Sequence, residues 1–476
     1  MIERFLNWIV RALLAEASAK NAYDPAPPRI QEKTMAKEMR PREMRPKEMS
    51  VPKEMGVSKE MKMSGPNGGG HLYMQTNEIQ NCVMHYHWSA SGTITEVERC
   101  LTGGGGSGTF KPISGQESAP NAFEGAGSVR LTPDRRFLFA TNGGDNSVSS
   151  FRVGEDGRLT LVDCKPTGNA AEGKSGTAKS VAYDPSRGML YVVHSFGPDH
   201  IRLMSVSGEG KLTPRTERYT VNTEDKPHRV PTMGVITSDG KYLLVGTTFD
   251  VPIAISGKYP DGSPILWVTG EDGKLRSVAS NAPDPDGLIV FRINADGTLG
   301  APAFHDGGGG SPFYIAFLNN RPDTFILGYA VGDGVGIGHI DEDGRLGIGP
   351  LVPLDTSAGK PAELCWLSVS PDDRMLYATN FGYSNITAFH INGAELAIAK
   401  DPACPKVAGD GTFRALCGDI SSGPSDNWIT PDGAYLYQIY GNASKLVGYA
   451  THTDGSLNEV TSVRIPYNSP QGLAGF

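Results

Sequence analysis

The stretch Leu131–Leu159 reads L-T-P-D-R-R-F-L-F-A-T-N, then G-G-D-N-S-V-S-S-F-R-V, then G-E-D-G-R-L. Phe137, Phe139 and Thr141 fall on one face of an alternating segment, with Leu138, Ala140 and Asn142 on the other. A period of two marks strands rather than helices. Pro133 presets φ for one turn and Gly157 supplies φ > 0 for the next, so the stretch predicts two successive hairpins.

The unit recurs down the chain. Its first turn and strand return at Tyr183–His194, Thr237–Thr248, Leu318–Ala330, Ser370–Asn380 and Thr430–Tyr440. Its second turn returns at Gly208–Leu212, Ala295–Leu299, Glu342–Leu346 and Thr453–Leu457, with a weaker copy at Ser89–Ile94. Most copies lie about 50 residues apart, and self-similarity at that period in groups of four short strands is the signature of a β-propeller. Counting predicts an all-β, seven-bladed β-propeller over 71–476, with blades near 71–110, 125–168, 177–222, 230–305, 312–355, 363–412 and 424–468. The first blade lacks an innermost strand. The segment Ser469–Phe476 reads as the start of one, so the C-terminal strand is expected to close the ring and remove two exposed edges.

Two segments precede the propeller. In the first, 1–20, Ile2, Phe5, Leu6, Ile9, Val10, Leu13 and Leu14 share one helical face, opposite Glu3, Arg4, Asn7 and Arg11. This amphipathic helix suits docking on the propeller, self-association, or membrane-surface contact and targeting, with Ala17-Ser18-Ala19 resembling a cleavage site. In the second, 21–70, K-E-M or R-E-M recurs while Pro41, Pro46 and Pro52 interrupt any long helix. The composition predicts an extended or disordered low-complexity linker. Blade four carries a long insertion between Val251 and Asp286, whose own Pro-Asp-Gly and Glu-Asp-Gly turns suggest an extra hairpin over one face.

The chain has 476 residues, with 60 Gly, 34 Pro and a net charge of −8. Such a mildly acidic surface argues against nucleic acid as the main partner. The six cysteines stand at 82, 100, 164, 365, 404 and 417. The pairs Cys82–Cys100 and Cys404–Cys417 are spaced to close disulfides, which would favour an extracytoplasmic, oxidising compartment; the other reading is six reduced thiols. No C-x-x-C, H-E-x-x-H, G-x-S-x-G or phosphate-binding G-x-x-x-x-G-K-[ST] occurs, so neither a metal nor another cofactor is expected.

The repeated S-P-D-G-x-x-L-Y-x-x-N strand, followed by S-x-x-x-F-x-I and D-G-x-L, resembles the lactonase-type seven-bladed propellers. These include the propeller-type 6-phosphogluconolactonases and the carboxymuconate-lactonising enzymes. The copies carrying it are Thr132–Asn142, Ser370–Asn380 and Thr430–Tyr440, with Asp156–Leu159 and Asp343–Leu346. The resemblance implies an enzyme acting on a small anionic lactone or sugar acid, either a hydrolase or a muconate cycloisomerase. The positions matching the group's P-H-x-H, P-R-H and N-E-L signatures hold Gly176–Lys179, Val230–Met233 and Thr247–Phe249 instead. The alternative is a non-catalytic propeller that binds partners or assembles through its N-terminal arm.

Residues just before each inner strand ring one end of a propeller's channel, where function concentrates. Taken blade by blade they give Lys179, His228, Arg229, Glu363, Asp426, Asn427 and Gln471. Opening a lactone needs a base for water and a donor for the developing oxyanion. Glu363 or Asp426 is the candidate base and His228 a candidate proton shuttle. Lys179, Arg229, Asn427 and Gln471 are the candidate substrate ligands.

Overall fold

A computed structural model describes residues 68–108, 125–169, 177–224, 226, 229–250, 267–269, 275–277, 287–308, 310–330, 332–355, 362–415 and 419–476. The expected helix 1–20, and the expected linker as far as residue 67, lie outside them. Seven antiparallel sheets form the seven blades, and an eighth, two-stranded sheet pairs Trp267–Thr269 with Leu275–Ser277 inside the blade-four insertion. Its two strands flank the Glu-Asp-Gly motif, while the Pro-Asp-Gly motif lies outside the described residues.

The innermost strands are Gln471–Gly475, Val129–Leu131, Ala178–Asp184, Arg229–Ile236, Pro312–Phe317, Leu364–Val369 and Pro424–Ile429, for blades one to seven in turn. Each packs on the next, and the last returns to the first. Blade one is completed as expected. Gly69–Gln75 pairs on one side with Cys82–Ser89 and on the other with Gln471–Gly475, in the register Leu72↔Gly475 to Gln75↔Gln471. The propeller begins at Gly69, two residues before the expected boundary.

Seven apolar clusters fill the seven gaps between blades. Tyr73, Val83, Leu138 and Phe151 pack between blades one and two. Leu72, Met84, Tyr437 and Leu446 pack between blades seven and one. Alternation along each strand sends one side chain to each gap, so every strand serves two cores.

The recurrent Asp-Gly turn has its own packing reason. Gly157 in blade two has φ +75°, and a Cβ there would fall 2.2 Å from His71 Nδ1 of blade one. Gly210 in blade three has φ +83° and would strike Phe137 of blade two at 2.4 Å. Tyr73 Oη donates to the Gly157 carbonyl at 2.6 Å, and Tyr191 Oη to that of Gly297 at 2.9 Å. Each such turn locks a blade onto its predecessor, and only glycine offers both the backbone angle and the room.

The cysteines correct one expectation. Cys82 faces Leu101 in the register while Cys100 faces Val83. Consecutive positions point to opposite sides of a strand, so these thiols diverge. Both are free; Cys404 is also free and buried, beside Tyr440 and Tyr449, while Cys417 lies outside the described residues. The Cys82–Cys100 pairing that pointed to an oxidising compartment is absent.

Ring closure should therefore depend on the last strand. Truncating the chain before Gln471 leaves the inner edge of Gly69–Gln75 unpaired and opens the cores on both sides of blade one. The expected outcome is loss of the monodisperse species on gel filtration and a large fall in melting temperature, whereas a reductant leaves the full chain's melting temperature unchanged.

Candidate functional site

The end of the channel where the inner strands begin is shaped by one recurring irregularity. In every blade but the second, the inner strand slips register against its neighbour near that end. The residues skipped are Gly472, Lys179, Val230 and Thr232, Phe313, Cys365 with Trp366, and Ser425 with Asp426. A bulge leaves its extra residue out of the ladder and re-aims its side chain. The mouth is built from these residues, one or two per blade.

Its two halves differ. Towards blades four to six it is apolar. Phe313 and Trp366 meet edge to face at 4.9 Å, and Trp366, Phe381 and Phe413 continue the contact at 6.2 and 5.5 Å. Ala126, Met233 and Cys365 are buried in the same cluster.

Towards blades seven, one and two the mouth is polar, and Asp426 is its centre. Its side chain is 4% exposed. Oδ2 accepts the Gly472 N–H at 2.8 Å, and the Gly127 N–H also donates to the carboxylate. Burial raises Asp426 from the ordinary 3.8 to about 6, against the pull of those donors and of the Arg130 guanidinium. Tyr314, on the inner strand of blade five, also lies within electrostatic reach; burial, then the Asp426 charge, pushes its hydroxyl up to about 12. Blades two, five and seven thus place a cation, a phenol and a carboxylate within electrostatic reach of one another. Arg130 makes no ion pair within 4 Å among the described residues.

The candidates read from the sequence divide. Asp426 and Gln471 stand at this site, one residue apart through Gly472. Lys179 is on blade three with 1% exposure, and Gly125 lies over it, a Cβ there falling 2.9 Å from the Lys179 Cβ. Glu363 begins blade six at φ +53°, and its N–H donates to Asp333 Oδ1 at 2.8 Å. Asp333 is itself raised to about 6, by burial first. Arg229 turns away from the axis. Its Nη1 donates to the Val221 carbonyl at 2.9 Å and to Thr223 Oγ1 at 3.1 Å, and the guanidinium lies 4.7 Å from the Phe304 ring on the blade's outermost strand. Asn427 also turns outward, accepting from Ser368 Oγ at 2.7 Å and donating to Thr379 Oγ1 at 3.1 Å. His228 lies outside the described residues. Arg130, Tyr314 and the donors Gly127 and Gly472 were not among the expected residues.

On the opposite end, His71 Nδ1 and His85 Nε2 are 2.9 Å apart, and His85 Nδ1 is 3.5 Å from Glu98 Oε1. Among the described residues no three His, Cys, Asp or Glu side chains gather as a metal site.

Fold and mouth together define a seven-bladed β-propeller with a half-polar channel entrance centred on a buried carboxylate. The family described as "Lactonase, 7-bladed beta-propeller" matches residues 66–225. The 6-phosphogluconolactonases of Erwinia tasmaniensis and Klebsiella pneumoniae are each 23% identical, over 60% of this chain and 84% and 85% of theirs. The structure of a periplasmic gluconolactonase of Pseudomonas aeruginosa superposes with TM-score 0.58 at 17% identity, covering 86% of this chain and 99% of that one, a likeness of fold.

Asp426 makes stability depend on pH. Its folded pKa lies above its unfolded one, so between about pH 4 and 6 the folded state binds more protons and stability falls as pH rises. A shift from 3.8 to about 6 corresponds to roughly 3 kcal/mol at neutral pH. Asp426→Asn keeps an acceptor for the two N–H groups and removes the buried charge. Urea denaturation should show it at least as stable as wild type at pH 8, and its stability relative to wild type should rise as pH goes from about 4 to 6.

Proposed function

We propose that the chain is a lactonase-like hydrolase that opens a small sugar-acid or muconate-type lactone at the polar half of the mouth. The observation that carries this reading is Asp426, a carboxylate held near pKa 6 by burial, with Arg130 and Tyr314 within electrostatic reach. A base works best when its pKa lies close to the working pH. Asp426 takes a proton from a water molecule as the water oxygen bonds to the lactone carbonyl carbon. Negative charge gathers on the carbonyl oxygen, which the Arg130 guanidinium stabilises. The ring C–O bond then breaks, the leaving oxygen recovers the proton from Asp426, and the product is the open hydroxy acid. The family match and the 6-phosphogluconolactonase relatives support this class of reaction. The wide sequence distance leaves the substrate to be read from the mouth itself.

The apolar half supports a second reading. With Phe313, Trp366, Phe381 and Phe413 filling one side, the mouth also suits a non-catalytic propeller that recruits partners or assembles through its N-terminal arm.

A panel of five- and six-membered lactones separates the two. The hydrolase should show saturable turnover above the buffer rate, with an acid limb in kcat/KM near pH 6. Asp426→Asn should lower kcat by about 10²–10⁴-fold, and Arg130→Met should lower kcat/KM by roughly tenfold or more. Buffer-rate hydrolysis by both wild type and Asp426→Asn would establish the scaffold reading instead.

A further inference from the structure

The end opposite the mouth carries two histidines that the reaction above does not use, at the seam where the ring closes. His71 lies on Gly69–Gln75 and His85 on the neighbouring Cys82–Ser89. Their rings touch, with His71 Nδ1 2.9 Å from His85 Nε2. Three pieces of the chain meet on this pair. From the closing strand, the Phe476 N–H donates to the His71 carbonyl at 3.0 Å, and the His71 N–H donates to the Phe476 oxygen at 2.8 Å. The Phe476 ring lies 5.0 Å from the His71 ring. From blade two, Gly157 packs so closely that a Cβ would fall 2.2 Å from His71 Nδ1. From the outermost strand of blade one, Glu98 Oε1 comes within 3.5 Å of His85 Nδ1.

Glu98 is also engaged by blade two. Its Oε1 accepts the Leu159 N–H at 2.7 Å, and its Oε2 accepts from Arg158 Nη1 at 3.2 Å. It can turn to an imidazolium at His85 only by loosening its hold on blade two. Burial is the strongest influence on both histidines, holding His71 below the ordinary 6.5 and His85 down to about 4. On His71, His87 adds to that effect, its ring 6.0 Å away, and Asp156 of the blade-two turn opposes it. On His85, His71 adds to it, Glu98 opposes it and Arg158 adds again. Tyr73 stacks on the His85 ring at 4.9 Å, and Arg135 of blade two lies over the Phe476 ring at 5.0 Å. Two imidazoles in contact cannot both take a proton without repelling each other. When the seam opens, water reaches both rings and the obstacle to protonation is gone.

We infer that His71 and His85 form an acid-sensitive clasp, at which proton uptake releases the closing strand and the Asp156–Leu159 turn of blade two from blade one while the other blades stay folded. Between about pH 4 and 6.5 the closed seam binds fewer protons than the open one. Closure is therefore fully favoured above pH 6.5 and loses ground as pH falls, by about tenfold per pH unit for each proton taken up. The release reaches the mouth, because Gly472 of the same strand gives its N–H to Asp426. The clasp belongs to the fold and holds with or without the hydrolase reading. Asp426 cannot imitate it, since its raised pKa strengthens the fold as pH falls from 6 to 4.

Hydrogen exchange read by mass spectrometry on the full chain tests this, from pH 7.5 to 5, with rates corrected for the intrinsic pH dependence of exchange. In wild type the protection of Gln471–Phe476 should fall by about 30-fold or more over that range, while Leu364–Val369 of blade six keeps its own. In His85→Gln the fall should shrink by tenfold or more, because glutamine still offers His71 a partner but takes no proton. Histidine carbon NMR on wild type gives a readout that needs no variant, and decides alone if His85→Gln does not fold: His85 should be neutral at pH 5.5 wherever the closing strand is paired. Protection of the closing strand that is independent of pH would overturn the inference. So would a loss shared by every blade, an equal fall in His85→Gln, or a charged His85 in the closed ring.

Discussion

The register between Gln471–Gly475 and Gly69–Gln75 is the constraint on which the rest of the molecule depends. Leu473 faces Met74 and turns into the gap shared with blade seven, while Ala474 faces Tyr73 and turns into the gap shared with blade two. A slip of one residue would exchange these faces and spoil both cores at once. The same register fixes the site. Its bulge passes over Gly472, whose N–H lands on Asp426 of blade seven, while the next inner strand brings the Gly127 N–H from blade two. Closure of the ring and assembly of the carboxylate's donors are one event, so a propeller that failed to close would also lack its site.

The division of the mouth follows from what each bulge releases. In blades five and six the skipped residues are Phe313, Cys365 and Trp366, which find one another and exclude water. In blades seven and three they are Ser425, Asp426 and Lys179. In blade one it is glycine, which contributes only backbone and leaves room for Ser128 beside it. The apolar half also matters to the polar half. A carboxylate rises to about 6 only where water is kept away, and burial is the largest influence on Asp426.

Most of the fold is legible in the chain because the repeated turn is a physical necessity at each blade contact. Gly157 and Gly210 each need a left-handed backbone and the absence of a Cβ, so the turn recurs in recognisable form. The closing strand is legible because blade one visibly lacks its innermost member. Where the sequence misleads, the bulges are responsible. Taking the residue just before each inner strand assumes one regular ladder everywhere. Arg229 precedes two shifts in its strand and ends on Phe304, far from the axis. Asn427 is the residue at which pairing resumes after the slip, so it belongs to the ladder and bonds to blade six. Asp426, one position earlier, is released. Arg130 and Tyr314 escape notice because they sit one or two places inside their strands, where simple alternation assigns them to packing. The cysteines mislead for a related reason, since one step of antiparallel offset sends Cys82 and Cys100 to opposite faces.

Stability limits how much unfavourable burial a fold can hold. Some buried polar groups are well partnered: Gln438 donates to the Ser425 and Ile439 carbonyls and accepts from Thr379, and Arg202 is held by the Thr167 carbonyl and Asp199. At Asp426 a carboxylate is kept from water. Such burial destabilises the fold, and seven packed gaps between blades supply the margin that tolerates it. Local unfavourable burial of this kind is what a preorganised site requires, because a group already free of water need not be released before it meets a substrate.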